Sequence, residues 1–128
     1  MNKKILIPLL FSLSIVLTAC SSTPSTPEGV ACEELRKTQE LISKEIDRDF
    51  QERLESGSGG GASEDLLDEF LSAYMGIANR HTSKVSDPEL KSQLLELLKT
   101  AGGSKEEAKF TAPAQSYKIL EWCESKKY

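Results

Sequence analysis

Between Cys32 and Cys123 the apolar residues recur three and four positions apart in four separate runs, and nowhere do they alternate. That spacing lines up one face of an α-helix, whereas a half-buried strand needs a period of two. The first run is Cys32, Leu35, Ile42, Ile46, Phe50 and Leu54, with Gln39 filling the missing step. Glu33–Lys37, Glu40–Lys44 and Asp49–Arg53 each set an acid four residues before a base, the favourable order on a solvated helix face. The second run is Leu67, Phe70, Leu71, Tyr74, Ile77 and Ala78. Ser63 reads as its N-cap, Glu64 and Asp65 suit its first turn, and Arg80, His81 and Lys84 suit its last. The third is Leu90, Leu94, Leu97, Leu98 and Ala101. Asp87 caps it, Pro88 opens it and Gly102-Gly103 stops it.

The fourth run places Ser116, Ile119, Leu120 and Cys123 on one face, with Tyr117 and Trp122 on its flanks. Its start is expected near Thr111 to Pro113, where a proline fits the first helical position. Ser104 to Glu107 then reads as a capping box for a separate short turn. Ser56 to Ala62 is a glycine-rich connector. Gly57, Gly59 and Ala62 can be laid on a dinucleotide-binding fingerprint, but no strand precedes them and no βαβ unit surrounds them. The expected class is all-α, with four helices of unequal length.

The first residues carry an address. Lys3 and Lys4 precede an apolar run from Ile5 to Leu17 of 13 residues, interrupted by Pro8. That is shorter than the roughly 20 residues of a membrane-spanning helix and has the layout of a secretory leader. Leu17-Thr18-Ala19-Cys20 resembles the bacterial lipobox. The resemblance implies cleavage after Ala19 and lipid (diacylglycerol, then palmitate-type acyl groups) on Cys20. An ordinary secretory cleavage site is a poorer fit, because Leu17 would stand at the −3 position. Expected boundaries are residues 1–19 for the signal peptide, 20–29 for the lipidated cysteine and a Ser/Thr/Pro tether, and 30–128 for the helical domain. At about 3.1 Å per residue, nine tether residues reach roughly 28 Å. Ser21 is not Asp, so in a cell with two membranes the expected home is the outer one.

Losing residues 1–19 leaves 109 of the 128 residues, the length of one domain. Both leader lysines leave with it, so 14 of the 16 Lys and Arg face 20 Asp and Glu, a balance of −6. An acidic chain without a basic cluster is not expected to bind nucleic acid or to dock electrostatically on anionic lipid. Membrane attachment is expected through the acyl chains on Cys20 alone.

In an exported chain with Cys20 lipidated, Cys32 and Cys123 are the remaining cysteines and have one possible pairing. Cys32 opens the first helix and Cys123 closes the last, so a disulfide requires those ends to meet. An antiparallel up-and-down bundle satisfies that with an even number of helices, which agrees with four.

Chemistry is sparse. His81 is the sole histidine, and a cation at a helix end explains it without a catalytic role. No Gly-x-Ser-x-Gly elbow is present, and the spacing of His and Cys suits no zinc site. No cofactor, metal or catalytic residue is expected. Interfaces favour Trp and Tyr, and the last segment holds Tyr117, Trp122 and Tyr128, a candidate partner contact. Packing of Trp122 against the adjacent cysteine pair is the competing fate.

Together these parts resemble a loose class of small bacterial lipoproteins, most familiar from actinobacteria. The residues that carry the likeness are the lipobox, the Ser/Thr/Pro tether, Ala31-Cys32, the run Val85-Ser86-Asp87-Pro88-Glu89-Leu90, and Cys123 near the end. Pilotin lipoproteins are similar in size, helical content and single disulfide, but share no motif with this chain. The resemblance implies a secreted helical bundle and assigns no activity. The function expected is non-enzymatic: a lipid-tethered envelope module that binds another protein or a wall component. The alternative is a tethered carrier or sensor of an apolar small molecule.

Overall fold

The computed structural model describes residues 25–57 and 64–128. The lipobox with Cys20, most of the tether, and the expected cap at Ser63 lie outside the described residues. Four helices follow in order: α1 (Pro27–Ser56), α2 (Glu64–His81), α3 (Pro88–Ala101) and α4 (Lys105–Ser125). Among the described residues there is no strand, and none of these helices is long and apolar enough to cross a membrane.

Helix α1 begins earlier than its apolar stripe suggests. Thr26 is the N-cap, its hydroxyl accepting from Gly29 N–H at 3.0 Å, and Pro27 takes the first helical position. Residues 27–29, expected as tether, are therefore the first turn of the domain. Glu28 is buried within that turn. Its carboxylate accepts from the backbone N–H groups of Ser86 and Asp87 at 3.1 and 3.3 Å, pinning the α2–α3 connection. At the other end Gly57 takes φ 72°, a left-handed cap that suits glycine, and its N–H returns to Arg53 and Leu54.

Helix α3 is built as its sequence dictates. The Asp87 side chain accepts from Glu89 and Leu90 N–H at 2.9 and 3.0 Å. Leu90, Leu94, Leu97 and Ala101 are buried, while Leu98 is only partly so. Helix α4 departs from expectation. The short turn and the last helix are one continuous element, with Ser104 as N-cap and Pro113 in its interior. Proline there removes one bond to the Lys109 carbonyl. Burial of Ala108, Ala112, Gln115 and Ser116 on both sides of the proline holds the helix together across that gap.

The helices form an up-and-down bundle: α1 packs on α2 and α4, α2 on α3, and α3 on α4. Across the bundle α2 and α4 also touch, so this diagonal is the short one. Cys32 and Cys123 are joined, with both residues fully buried, and tie the start of α1 to the end of α4. The core is Leu35 and Ile42 of α1, Tyr74 and Ile77 of α2, Leu90, Leu94 and Leu97 of α3, and Ile119 of α4.

A polar hub sits among these side chains. Gln39 Oε1 accepts from the Tyr74 hydroxyl at 2.6 Å and from Ser116 Oγ at 3.2 Å. Its amide donates to the Tyr117 oxygen at 3.3 Å, so one side chain links α1, α2 and α4. Burial, opposed by hydrogen bonding, pushes the Tyr74 phenol up to about 12.

The far half of α1 departs from the stripe. Ile46, Phe50 and Leu54 are 38, 53 and 57% exposed, although they continue the row of Leu35 and Ile42. Helix α1 has 30 residues against 18, 14 and 21 for the others, so its last turns outrun the bundle that would cover them.

Candidate functional site

Three places combine unusual burial, charge or exposure. The first is at the end of α2. His81 is buried, and its Nε2 meets the Glu34 carboxylate, which also receives Arg80 Nη2. Burial alone would raise the Glu34 carboxyl; hydrogen bonds from His81 and Arg80, with their charge, outweigh it and hold the group below its ordinary range. The trio fastens α2 to α1. Among the described residues the His81 ring bonds to the Glu34 carboxylate, and with Arg80 this makes a strut between the two helices. The sequence placed His81 at a helix end; its burial and its partner Glu34, 47 residues away, arise only from packing.

The second is the aromatic group of the last helix. Trp122 belongs to the core, at 6% exposed, and its ring stacks on Tyr128 with centroids 5.9 Å apart. The chain reverses at Lys127, which takes φ 64°, and Tyr128 N–H closes on the Cys123 carbonyl at 2.9 Å. That is a helix-terminating turn in which a non-glycine residue accepts a left-handed conformation costing about 1 kcal/mol. Arg36 adds a bond to the Tyr128 carbonyl. Tyr117 is 54% exposed and bonded to Gln39. Of the three aromatics, then, Trp122 is consumed by the fold, Tyr128 is its lid, and Tyr117 alone stands out on the helix surface.

The third is the surface of α1. Beyond the exposed row of Ile46, Phe50 and Leu54, a groove of about 230 Å³ opens between α1 and α2. Leu41, Ile42, Leu66, Phe70 and Ala73 form its apolar floor, and Glu45 and Glu69 stand at its edge. A second hollow of about 150 Å³ shares Glu45, Leu66 and Glu69 and extends toward Asp49, Glu52 and Asp65. The two make one furrow, apolar at one end and acidic at the other. On the far side of α1 a hollow of about 390 Å³ is lined by polar residues and Leu120. These depressions are open to solvent.

Among the described residues no group of three His, Cys, Asp or Glu side chains is placed to hold a metal ion. No protein-family model matches this chain, and neither a curated protein nor a solved structure matches it.

Proposed function

We propose that this chain is a lipid-tethered envelope protein that works by binding another protein and performs no chemistry of its own. The observation that carries the reading is the uncovered row Ile46, Phe50 and Leu54. Large apolar side chains aligned on one helix, continuous with a buried stripe and left in water, are what a partner-binding face presents. Trp122, held in the core, is not the anchor.

The tether sets the reach. With α1 starting at Pro27, six residues separate it from Cys20, about 20 Å of extended chain. Helix α1 itself is about 45 Å long, so its exposed end lies far along the helix from the lipid. An upright domain would offer that end to a protein standing off the membrane.

A photoreactive residue at Phe50 of the full chain, introduced in intact cells, tests this. The expected outcome is one protein adduct, lost in Ile46→Ser/Leu54→Ser while fold and disulfide persist. Cys20→Ala is expected to release the protein from membranes and to weaken the adduct. Absence of any adduct from Ile46, Phe50 and Leu54, with the protein lipidated and folded, would overturn the reading.

A further inference from the structure

We infer that the furrow between α1 and α2 seats a cationic amphipathic helix of the partner, its apolar side on the Leu41–Phe70 floor and its Lys or Arg side against the acidic end. The inference rests on the reading that the domain binds a protein, and it names the chemistry of the part bound.

The floor supplies the apolar half of the match. Ala73 is small and sits between Phe70 and Ile77 on α2, which leaves a hollow opposite Leu41 where a larger residue would have filled it. Leu41 is 61% exposed beside this hollow, while Ile42 and Phe70 beneath it are buried. An incoming Leu or Phe would cover Leu41 and fill the space over Ala73.

Charge supplies the other half. The acidic end is lined by Glu45, Asp49, Glu52, Asp65 and Glu69 with one cation, Arg48, among them, and Lys105 stands near Asp65. Arg48 is already paired with Glu45, and Asp49 with Arg53. Glu52 and Glu69 have no ion-pair partner among the described residues. The carboxylates are spread along two helices and do not converge on a point, which suits a row of cations rather than one metal ion. A second copy docking through the same furrow would bring carboxylates against carboxylates, and an anionic lipid surface would be repelled likewise. From Thr38 to Glu52 the furrow follows about 21 Å of α1, the length of a helix of about 14 residues.

The test uses the full lipidated chain in nanodiscs of phosphatidylcholine, with empty nanodiscs as the reference. The probe is a fluorescein-labelled amphipathic leucine–lysine peptide of about 14 residues, compared with the same peptide carrying glutamate for lysine. Anisotropy titration is expected to show saturable binding of the lysine peptide and none of the glutamate peptide. Glu52→Lys/Glu69→Lys, both exposed positions, is expected to weaken the lysine peptide about three- to tenfold. Leu41→Asn is expected to weaken it as well, without changing the helical circular dichroism. Equal binding of both peptides, no binding of the lysine peptide, or affinity unmoved by either variant would overturn the inference. So would concentration-dependent dimers whose formation is blocked by Leu41→Asn, because the furrow would then belong to a second copy. An adduct at Phe50 combined with no lysine-peptide binding would remove the cationic segment while leaving the partner-binding reading intact.

Discussion

Opening the Cys32–Cys123 link should remove a large share of this domain's stability, and the structure gives the size. The cysteines are 91 positions apart, so the bond closes a loop of nearly the whole folded part. In the chain-entropy treatment such a loop restricts the unfolded state by about 4.6 kcal/mol at 25 °C. Domains of this size are stable by roughly 5–15 kcal/mol in total. Both residues are fully buried, so reductant should reach the bond only when the ends of α1 and α4 part. Two perturbations separate the contributions: reduction keeps both sulfurs in place, whereas Cys32→Ala/Cys123→Ala also removes their volume. Urea melts of the Cys20→Ala chain should show a loss of about 4–5 kcal/mol on reduction. The double alanine variant should lose somewhat more. The slope of the transition should rise as well, because an unlinked chain exposes more surface when it unfolds. A loss under about 1 kcal/mol on reduction would mean that packing alone joins the helix ends, and the entropic argument would fail.

Two further outcomes test single side chains. Glu34 titrates below its ordinary value of 4.5 in the folded chain, so its stabilisation is present at neutral pH and lost as pH falls through that lowered value. Glu34→Gln should therefore be less stable at pH 7 and show a flatter decline in thermal melts taken toward pH 3; parallel acid limbs would refute the assignment. Glu28→Ala should cost about 1–3 kcal/mol by leaving the Ser86 and Asp87 N–H groups without their buried acceptor. Hydrogen exchange at Ser86 should quicken in the same variant, and an unchanged rate would show that Glu28 does not hold the turn.

Helix identity was legible because it depends on local spacing. Phe70, Leu71, Tyr74, Ile77 and Ala78 are buried as their three-and-four rhythm implies. Asp87, Pro88 and Gly102 bound α3 because capping is a contest among a few adjacent backbone groups, which a short sequence can settle. The reading failed where a distant element decides the outcome. Pro113 looks like a helix start in isolation, yet α4 packs on α3 and buries Ala108 and Ala112 before the proline and Gln115 and Ser116 after it, which carries the helix through. Glu28 looks like part of a Thr/Pro tether until α2 and α3 bring Ser86 and Asp87 to its carboxylate. Of the three charge pairs expected along α1, Glu33–Lys37 and Asp49–Arg53 form. Surface pairs of this kind contribute little, and side-chain entropy opposes each of them.

The same reasoning explains why Trp122 lies in the core while the far half of α1 does not. Aromatic content singled out Trp122, but a large ring beside Cys123 is drawn inward by the helix end that the disulfide fixes, and Tyr128 folds over it. Ile46, Phe50 and Leu54 continue the apolar rhythm of Leu35 and Ile42, so on sequence they are indistinguishable from core. Periodicity reports which face of a helix is apolar, not how far its neighbours extend to cover it. That second quantity is a comparison of lengths: α1 runs for 30 residues while the helices packed on it, α2 and α4, run for 18 and 21, and the surplus leaves an apolar face in water. Weighing helix lengths against stripe lengths was the signal that could have found this surface, since a stripe longer than its partners must end either in solvent or against another protein.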